Sequence, residues 1–376
     1  MYPLIDRFIE KLIASSTPEA PLWNIEVINA GKKPAWNYID GCMMTALLEL
    51  YKQTNNKRYI DFVNNYINYY VYEDGTIRGY DKDKHSVDDI CESRILFDLY
   101  HFIGLEKYSK AIEFTYSHIQ IQPRTKAGNF WHRNIYQNQV WLDGLFMALP
   151  FYTLYETHRN HKKNYEDILN QFRNVRKLMF DEQKKLYYHG YDESKSVFWA
   201  NPKTGLSKNF WLRSMGWYVV AIVDVMSYME DEYARKTFFP KLLKEAIDGI
   251  LVHQDQESKL FYQVVDKEME DGNYLESSGS ALISFAILKG SRLGALDQSY
   301  QKRGLEIFDG ICNKYLTEKN GTLSLGGICL VAGLGPEGNL RRDGSYAYYI
   351  SEPIVENDAK GVAPLIMAYT EIKKIK

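Results

Sequence analysis

Apolar residues along this chain recur at intervals of three and four. Ala46, Leu47, Leu50 and Tyr51 fall on one helical face, and Ile95, Leu96, Leu99 and Tyr100 fall on another. The opening stretch MYPLIDRFIEKLIASS carries acids inside its apolar run and predicts an amphipathic helix rather than a secretory leader. The longest apolar run, WYVVAIVDVM from Trp217, is far shorter than the roughly 20 residues of a membrane span.

The helical windows also resemble one another. LLELYKQTNNKRY places Tyr51 ahead of Tyr59, ILFDLYHFIGLEKY places Tyr100 ahead of Tyr108, and YTLYETHRNHKKNY carries Tyr155 and Tyr165. The anchors return at roughly 50-residue intervals, too long for a tetratricopeptide or ankyrin unit. That period suits two helices of about 12–16 residues with one long and one short loop. The chain length then holds roughly six or seven hairpins, which can close into an (α/α) toroid or stack as an open solenoid. No Pro/Gly/Ser-rich linker interrupts residues 1–376, so one all-α domain is expected.

Between the helices lie long segments rich in Gly and aromatics: GYDKDKHSVDD, KAGNFWHR, YYHGYDESKSVFWANPKTG, NYLESSGS and the stretch from Tyr346 to Gly361. Loops with this much Trp, His and acid read as the walls of a site. LYYHGYD and LFYQVVD predict short β-hairpins at the rim.

Composition narrows the function. The formal net charge is -2 with no basic block, which argues against nucleic acid and membrane surfaces as partners. The chain holds 30 Tyr and 7 Trp, and side chains with an apolar face and a polar edge suit sugars. Cys42, Cys91, Cys312 and Cys329 are too scattered for a metal knuckle and are expected to be buried free thiols. No HExxH, P-loop, GxGxxG or GxSxG motif occurs, so neither a metal nor another cofactor is expected.

Three segments concentrate the candidate chemistry. In QNQVWLDGLFMALPFY, Asp143 stands beside Trp141 and Gly144 near a helix start. It is either an acid that caps free backbone N–H groups or a carboxyl whose pKa an aromatic pocket raises toward working pH. In HSVDDICESR, Asp88 and Asp89 precede an apolar helix; one is expected to cap it and the other to meet a ligand. In NFWLRSMGWYVVAI, Trp211, Ser214 and Tyr218 share a face, with Arg213 and Trp217 beside them. Arg213 is a natural bidentate partner for a carboxylate, or else a surface Arg between two core tryptophans. His132 and His189 each follow an aromatic residue in a loop and are structural donors or ligand contacts.

These segments together resemble glycoside hydrolase family 105, the unsaturated rhamnogalacturonyl hydrolases. The resemblance rests on FWH at Phe130–His132, QVWLDGLFM at Gln139–Met147, YYHGYDE at Tyr187–Glu193, WAN at Trp199, FWLRSMGWYV at Phe210–Val219, YQVVDK at Tyr262 and LESSGS at Leu275–Ser280, in matching order over nearly the whole chain. It implies an (α/α)6 barrel with short β-hairpins at the rim and a site at one mouth. Asp143 becomes the acid/base and Asp88 the supporting carboxylate. His132, Trp141, His189, Trp211, Arg213 and Trp217 line the ligand, with Trp36 and Tyr38 as a further aromatic wall. The segment SEPIVENDAKGVAP departs from the pattern, lacking the basic residue and the His expected near its ND pair. That leaves the aglycone open, and leaves the terminal sugar as an unsaturated galacturonyl or glucuronyl unit.

The activity so implied hydrates the 4,5 double bond left by a polysaccharide lyase and releases an oligosaccharide aglycone, as in pectin breakdown, with no cofactor. Two other readings stand beside it: a different toroid enzyme (saturated-sugar hydrolase or epimerase), and a non-catalytic glycan-binding helical repeat. The protein is expected to be a monomer or weak homo-oligomer in the cytoplasm, or in the periplasm had a leader been trimmed.

Overall fold

Six long, nearly all-buried stretches of helix make the wall of a closed ring. The computed structural model describes residues 2–375. The helices are α1 (Tyr2–Ala14), α2 (Ile25–Ala30), α3 (Tyr38–Thr54), α4 (Lys57–Tyr70), α5 (Val87–Cys91), α6 (Ile95–Ile103), α7 (Glu106–Ile121), α8 (Leu142–His158), α9 (Tyr165–Met179), α10 (Leu212–Tyr228), α11 (Phe239–Leu251), α12 (Ser277–Arg292), α13 (Ser299–Tyr315), α14 (Tyr346–Ile350) and α15 (Ala359–Ile375).

The inner ring runs α3, α5 with α6, α8, α10, α12, α15 and back to α3, each packed on the next. These helices are apolar nearly all round: in α12 every residue from Ser277 to Ser291 is buried. A helix in that state must be surrounded by protein. The outer helices α4, α7, α9, α11 and α13 each return from an inner partner and bury one face. The sixth outer helix is α1, which closes the ring across the chain's two ends. Tyr369 of α15 donates to Asp6 at 2.9 Å, and Lys374 reaches Glu49 of α3 at 3.0 Å. The tyrosine repeat marks the hairpin bends: Tyr51, Tyr100 and Tyr155 end inner helices, while Tyr59, Tyr108 and Tyr165 begin outer ones. The fold is the expected (α/α)6 toroid.

Because every hairpin starts with its inner helix, the six inner helices are parallel. Their N-termini, at Tyr38, Val87, Leu142, Leu212, Ser277 and Ala359, gather at one mouth. The free N–H groups and helix dipoles give that mouth a positive bias. Two-stranded antiparallel ribbons frame it: β1 (Gln139–Trp141) with β4 (Gly190–Asp192), β2 (Phe180–Asp181) with β3 (Leu186–Tyr187), β5 (Phe261–Tyr262) with β6 (Leu275–Glu276), β7 (Leu316–Lys319) with β8 (Thr322–Leu325), and β9 (Ile328–Cys329) with β10 (Ile354–Val355). The four cysteines are buried and unpaired. Among the described residues no helix is long and apolar enough to cross a membrane.

Toward the other mouth, Asp224 of α10 accepts from Arg94 at 3.1 Å and from Lys289 of α12 at 2.7 Å, all three buried. A cavity of about 670 Å³ opens there beside Glu49, Lys52, Asp98 and Tyr228, remote from the loops with candidate chemistry.

Candidate active site

β1 runs straight into α8, so Trp141 ends a strand, Leu142 opens the helix, and Asp143 occupies its first turn. Asp143 does not cap that helix. Its N-cap position is Trp141, without a side-chain capping bond, and Oδ2 of Asp143 is buried with no hydrogen bond. His189 Nε2 approaches that oxygen at 3.3 Å but lacks a hydrogen-bonded partner of its own. The opposite ring nitrogen, Nδ1, is bonded to the Tyr349 hydroxyl at 2.7 Å. A side chain next to a helix start that spends no oxygen on the backbone is available for a ligand.

Trp141 organises the other side. Its ring stacks on His132 with centroids 4.3 Å apart and an interplanar angle of 17°, meets Tyr136 at 4.5 Å and meets His189 at 5.6 Å. Gly190 permits this packing, since a Cβ there would come within 3.1 Å of the indole and overlap Leu334. His132 Nε2 lies 3.3 Å from Asp88 Oδ1, and Arg133 Nε lies 3.9 Å from Asp88 Oδ2. Burial opposes ionisation of Asp88, yet His132 and Arg133 outweigh it and hold the carboxyl below its usual range. Asp88 is therefore a carboxylate. The carboxyl that is raised is its neighbour, Asp89, pushed to about 7 by burial and by the charge of Asp88. The helix behind them is N-capped at Ser86, with no side-chain bond, so neither acid takes the expected capping role.

Trp211 closes the third side. It donates from its indole N–H to Gln263 at 3.1 Å and packs on His189 at 4.8 Å. Arg213 lies under it, 4.9 Å from the ring centroid. Its guanidinium is only 1% exposed and donates to the carbonyl oxygen of Cys329, to Ser278 Oγ at 3.1 Å and to the carbonyl of Leu330 at 3.4 Å. Only its Nε–H is uncommitted. Glu276 braces the same corner, accepting from Ser278 N, Gly279 N and Cys329 N.

Of the remaining predicted residues, Tyr38 is half-buried and feels both Arg213 and Asp88, with burial the main cause of its strongly raised pKa. Trp36 faces away from the opening, donating to the Asp89 carbonyl at 2.9 Å behind the acids. Trp217 is buried within the ring, stacked on Phe146 at 4.4 Å. It sits about one turn, ~5.4 Å, below Arg213 and so forms floor rather than wall. Segment 351–364 does contain a basic residue: Lys360, fully buried, pairs with Glu26 at 2.6 Å and Asp358 at 3.0 Å. Tyr349 and Arg342 went unnoticed in the sequence because both come from a Gly-rich covering loop without periodicity.

The model of glycosyl hydrolase family 88 matches residues 9–376. A solved glycoside hydrolase of family 105 from C. acetobutylicum superposes with a TM-score of 0.89 at 39% identity, covering 97% of this chain and 99% of that one. A protein named Atu3128 from Agrobacterium fabrum is 38% identical over 230 residues, 60% of this chain and 97% of its own length. More distantly, an unsaturated 3S-rhamnoglycuronyl hydrolase of Formosa agariphila is 26% identical over 206 residues, 53% of this chain and 52% of that protein.

Proposed function

The chain belongs to the glycosyl hydrolase family 88 and 105 group, and on that premise we propose that this glycosidase removes a terminal 4,5-unsaturated uronic acid from oligosaccharides left by a polysaccharide lyase. An unsaturated galacturonyl unit on rhamnose is the first substrate to try. The observation that carries the reading is the state of Asp143: a buried carboxyl with an unbonded oxygen, beside His189 and walled by Trp141 and Trp211.

The double bond of such a substrate is a vinyl ether. Asp143 in its protonated form gives a proton to carbon 4 while a water adds at carbon 5, and the carboxylate then takes that water's proton. The net change is addition of water across the double bond, with Asp143 restored. The hemiketal so formed at carbon 5 opens by breaking its bond to the ring oxygen. The freed hydroxyl at carbon 1 belongs to a hemiacetal that expels the aglycone as an alcohol. One residue alternating between acid and base suffices, whereas an ordinary glycosidase needs two carboxylates flanking the anomeric carbon. Asp88, held ionised, accepts hydrogen bonds from sugar hydroxyls. His189 orients Asp143, and the stacked His132 and Trp141 present a face to the pyranose. Arg213 fixes the 328–330 segment and offers Nε–H to the uronate.

Hydration destroys the conjugated chromophore, so ultraviolet absorbance falls as the reaction runs. With a lyase-derived disaccharide, Asp143→Asn is expected to lower that rate by about 10²–10⁴-fold while melting like the parent. A variant that still bleached the substrate at the normal rate would refute the assignment, and turnover of saturated disaccharides alone would refute the reaction.

A further inference from the structure

We propose that Arg342 recognises a negatively charged substituent, a sulfate or carboxylate, on the sugar next to the terminal unit. This rests on the reading of the site as exo-acting on an unsaturated uronide. An exo-acting pocket takes the terminal sugar deepest, so the following sugar lies toward the opening. The two arginines differ accordingly in depth and in commitment. Arg213 is sealed in the floor and bonded to backbone carbonyls. Arg342 is half-buried on the covering loop and, among the described residues, has no carboxylate within ion-pair distance. Its neighbours Arg341 and Asp343 are both paired, with Glu352 at 2.8 Å and Lys208 at 3.6 Å.

Arg342 stands over the rim of the site. A Cβ built on Gly333 would come within 3.3 Å of its Nη1 and within 3.4 Å of the Trp141 ring, so the guanidinium and the indole flank the same thin piece of backbone. The Tyr136 hydroxyl is within hydrogen-bonding reach. The backbone of Arg342 is pinned: its N–H donates to Asn339 O at 3.2 Å, and its carbonyl accepts from Gly335 N at 2.8 Å. An unpaired guanidinium held beside an aromatic platform is a preorganised acceptor site for a planar or tetrahedral anion. Arg133, the other cation at this rim, is turned toward Asp88, which leaves Arg342 as the free charge.

The test compares kcat/KM on unsaturated disaccharides whose second sugar is neutral, sulfated or carboxylated, for the parent enzyme, Arg342→Gln and Arg342→Lys. The parent should prefer at least one anionic substrate over the neutral one, through KM, and the preference should shrink as salt is raised. In Arg342→Gln the ratio of anionic to neutral kcat/KM should drop about tenfold, with Arg342→Lys between. The sulfated and carboxylated arms identify the anion. An equal ratio in parent and Arg342→Gln, or a parent that handles the neutral substrate without preference, overturns this inference alone. Failure on every unsaturated substrate overturns the proposed function and this inference with it.

Discussion

The hydroxyl of Tyr349 is bonded to Nδ1 of His189 at 2.7 Å, and this contact, made across 160 residues of chain, decides which edge of the imidazole faces Asp143. With Nδ1 engaged, Nε2 is left 3.3 Å from the acid. A hydrogen bond on one ring nitrogen sets the role of the other.

Tyr349→Phe removes that bond while preserving the ring. It should lower kcat by about tenfold, the size of losing one hydrogen bond to a group of changing charge, with little change in KM. The pH–rate profile should move as well, because the His189 tautomer is no longer set. An unchanged kcat with an unchanged profile would reduce Tyr349 to packing.

Asp224→Ala probes the far mouth. The substitution strands Arg94 and Lys289, both buried on the same carboxylate. Removing one partner of a buried ionic network costs about 3–5 kcal/mol, to be read from urea melts. The KM of the folded fraction should not move, since the network lies away from the acid/base. A melt matching the parent's would show that water already compensates these cations.

Stability should depend on pH through the seam of α3 and the α5–α6 helix. Asp40 is fully buried and accepts from Trp23 at 2.8 Å and Asn37 at 2.9 Å, yet burial still pushes its pKa up to about 6. Glu92, buried beside it, is raised as well, by burial and then by the charge of Asp40. A carboxyl whose folded pKa lies above its unfolded one stabilises in full below the unfolded value and loses that contribution as pH rises through the folded value. For Asp40 the loss accrues between about pH 4 and pH 6 and amounts to about 3 kcal/mol, at about 1.4 kcal/mol per unit. Urea melts from pH 4 to 7.5 should show a shallower decline in Asp40→Asn than in the parent. Parallel curves would remove Asp40 as the source.

Much of this architecture was legible in one dimension. The three tyrosine pairs located the bends of three hairpins, because a residue that ends one helix and seats the next must recur with the hairpin's own period. LYYHGYD and LFYQVVD showed the ribbons through their clustered aromatics. The chemistry-bearing loops stood out because Trp, His and acid are expensive to leave in plain connectors. The role of single residues was less legible. Trp36, Trp211 and Trp217 look alike in sequence, yet one backs the acids, one packs on His189 and one lies in the ring's interior. Helix register and depth along the barrel axis separate them, and neither is local.

By itself the sequence determined the helical period, the hairpin repeat and the set of residues able to do acid–base work at one mouth, since each depends on side-chain type and spacing within a few turns. Only the tertiary structure decided what those residues are free to do. It showed that Asp143 caps nothing, that Asp88 rather than Asp89 is held ionised, that Arg213 is committed to carbonyls, and that Arg342 is not. Those outcomes turn on contacts between segments far apart in the chain, where burial and the nearest partner, rather than residue type, set charge and availability.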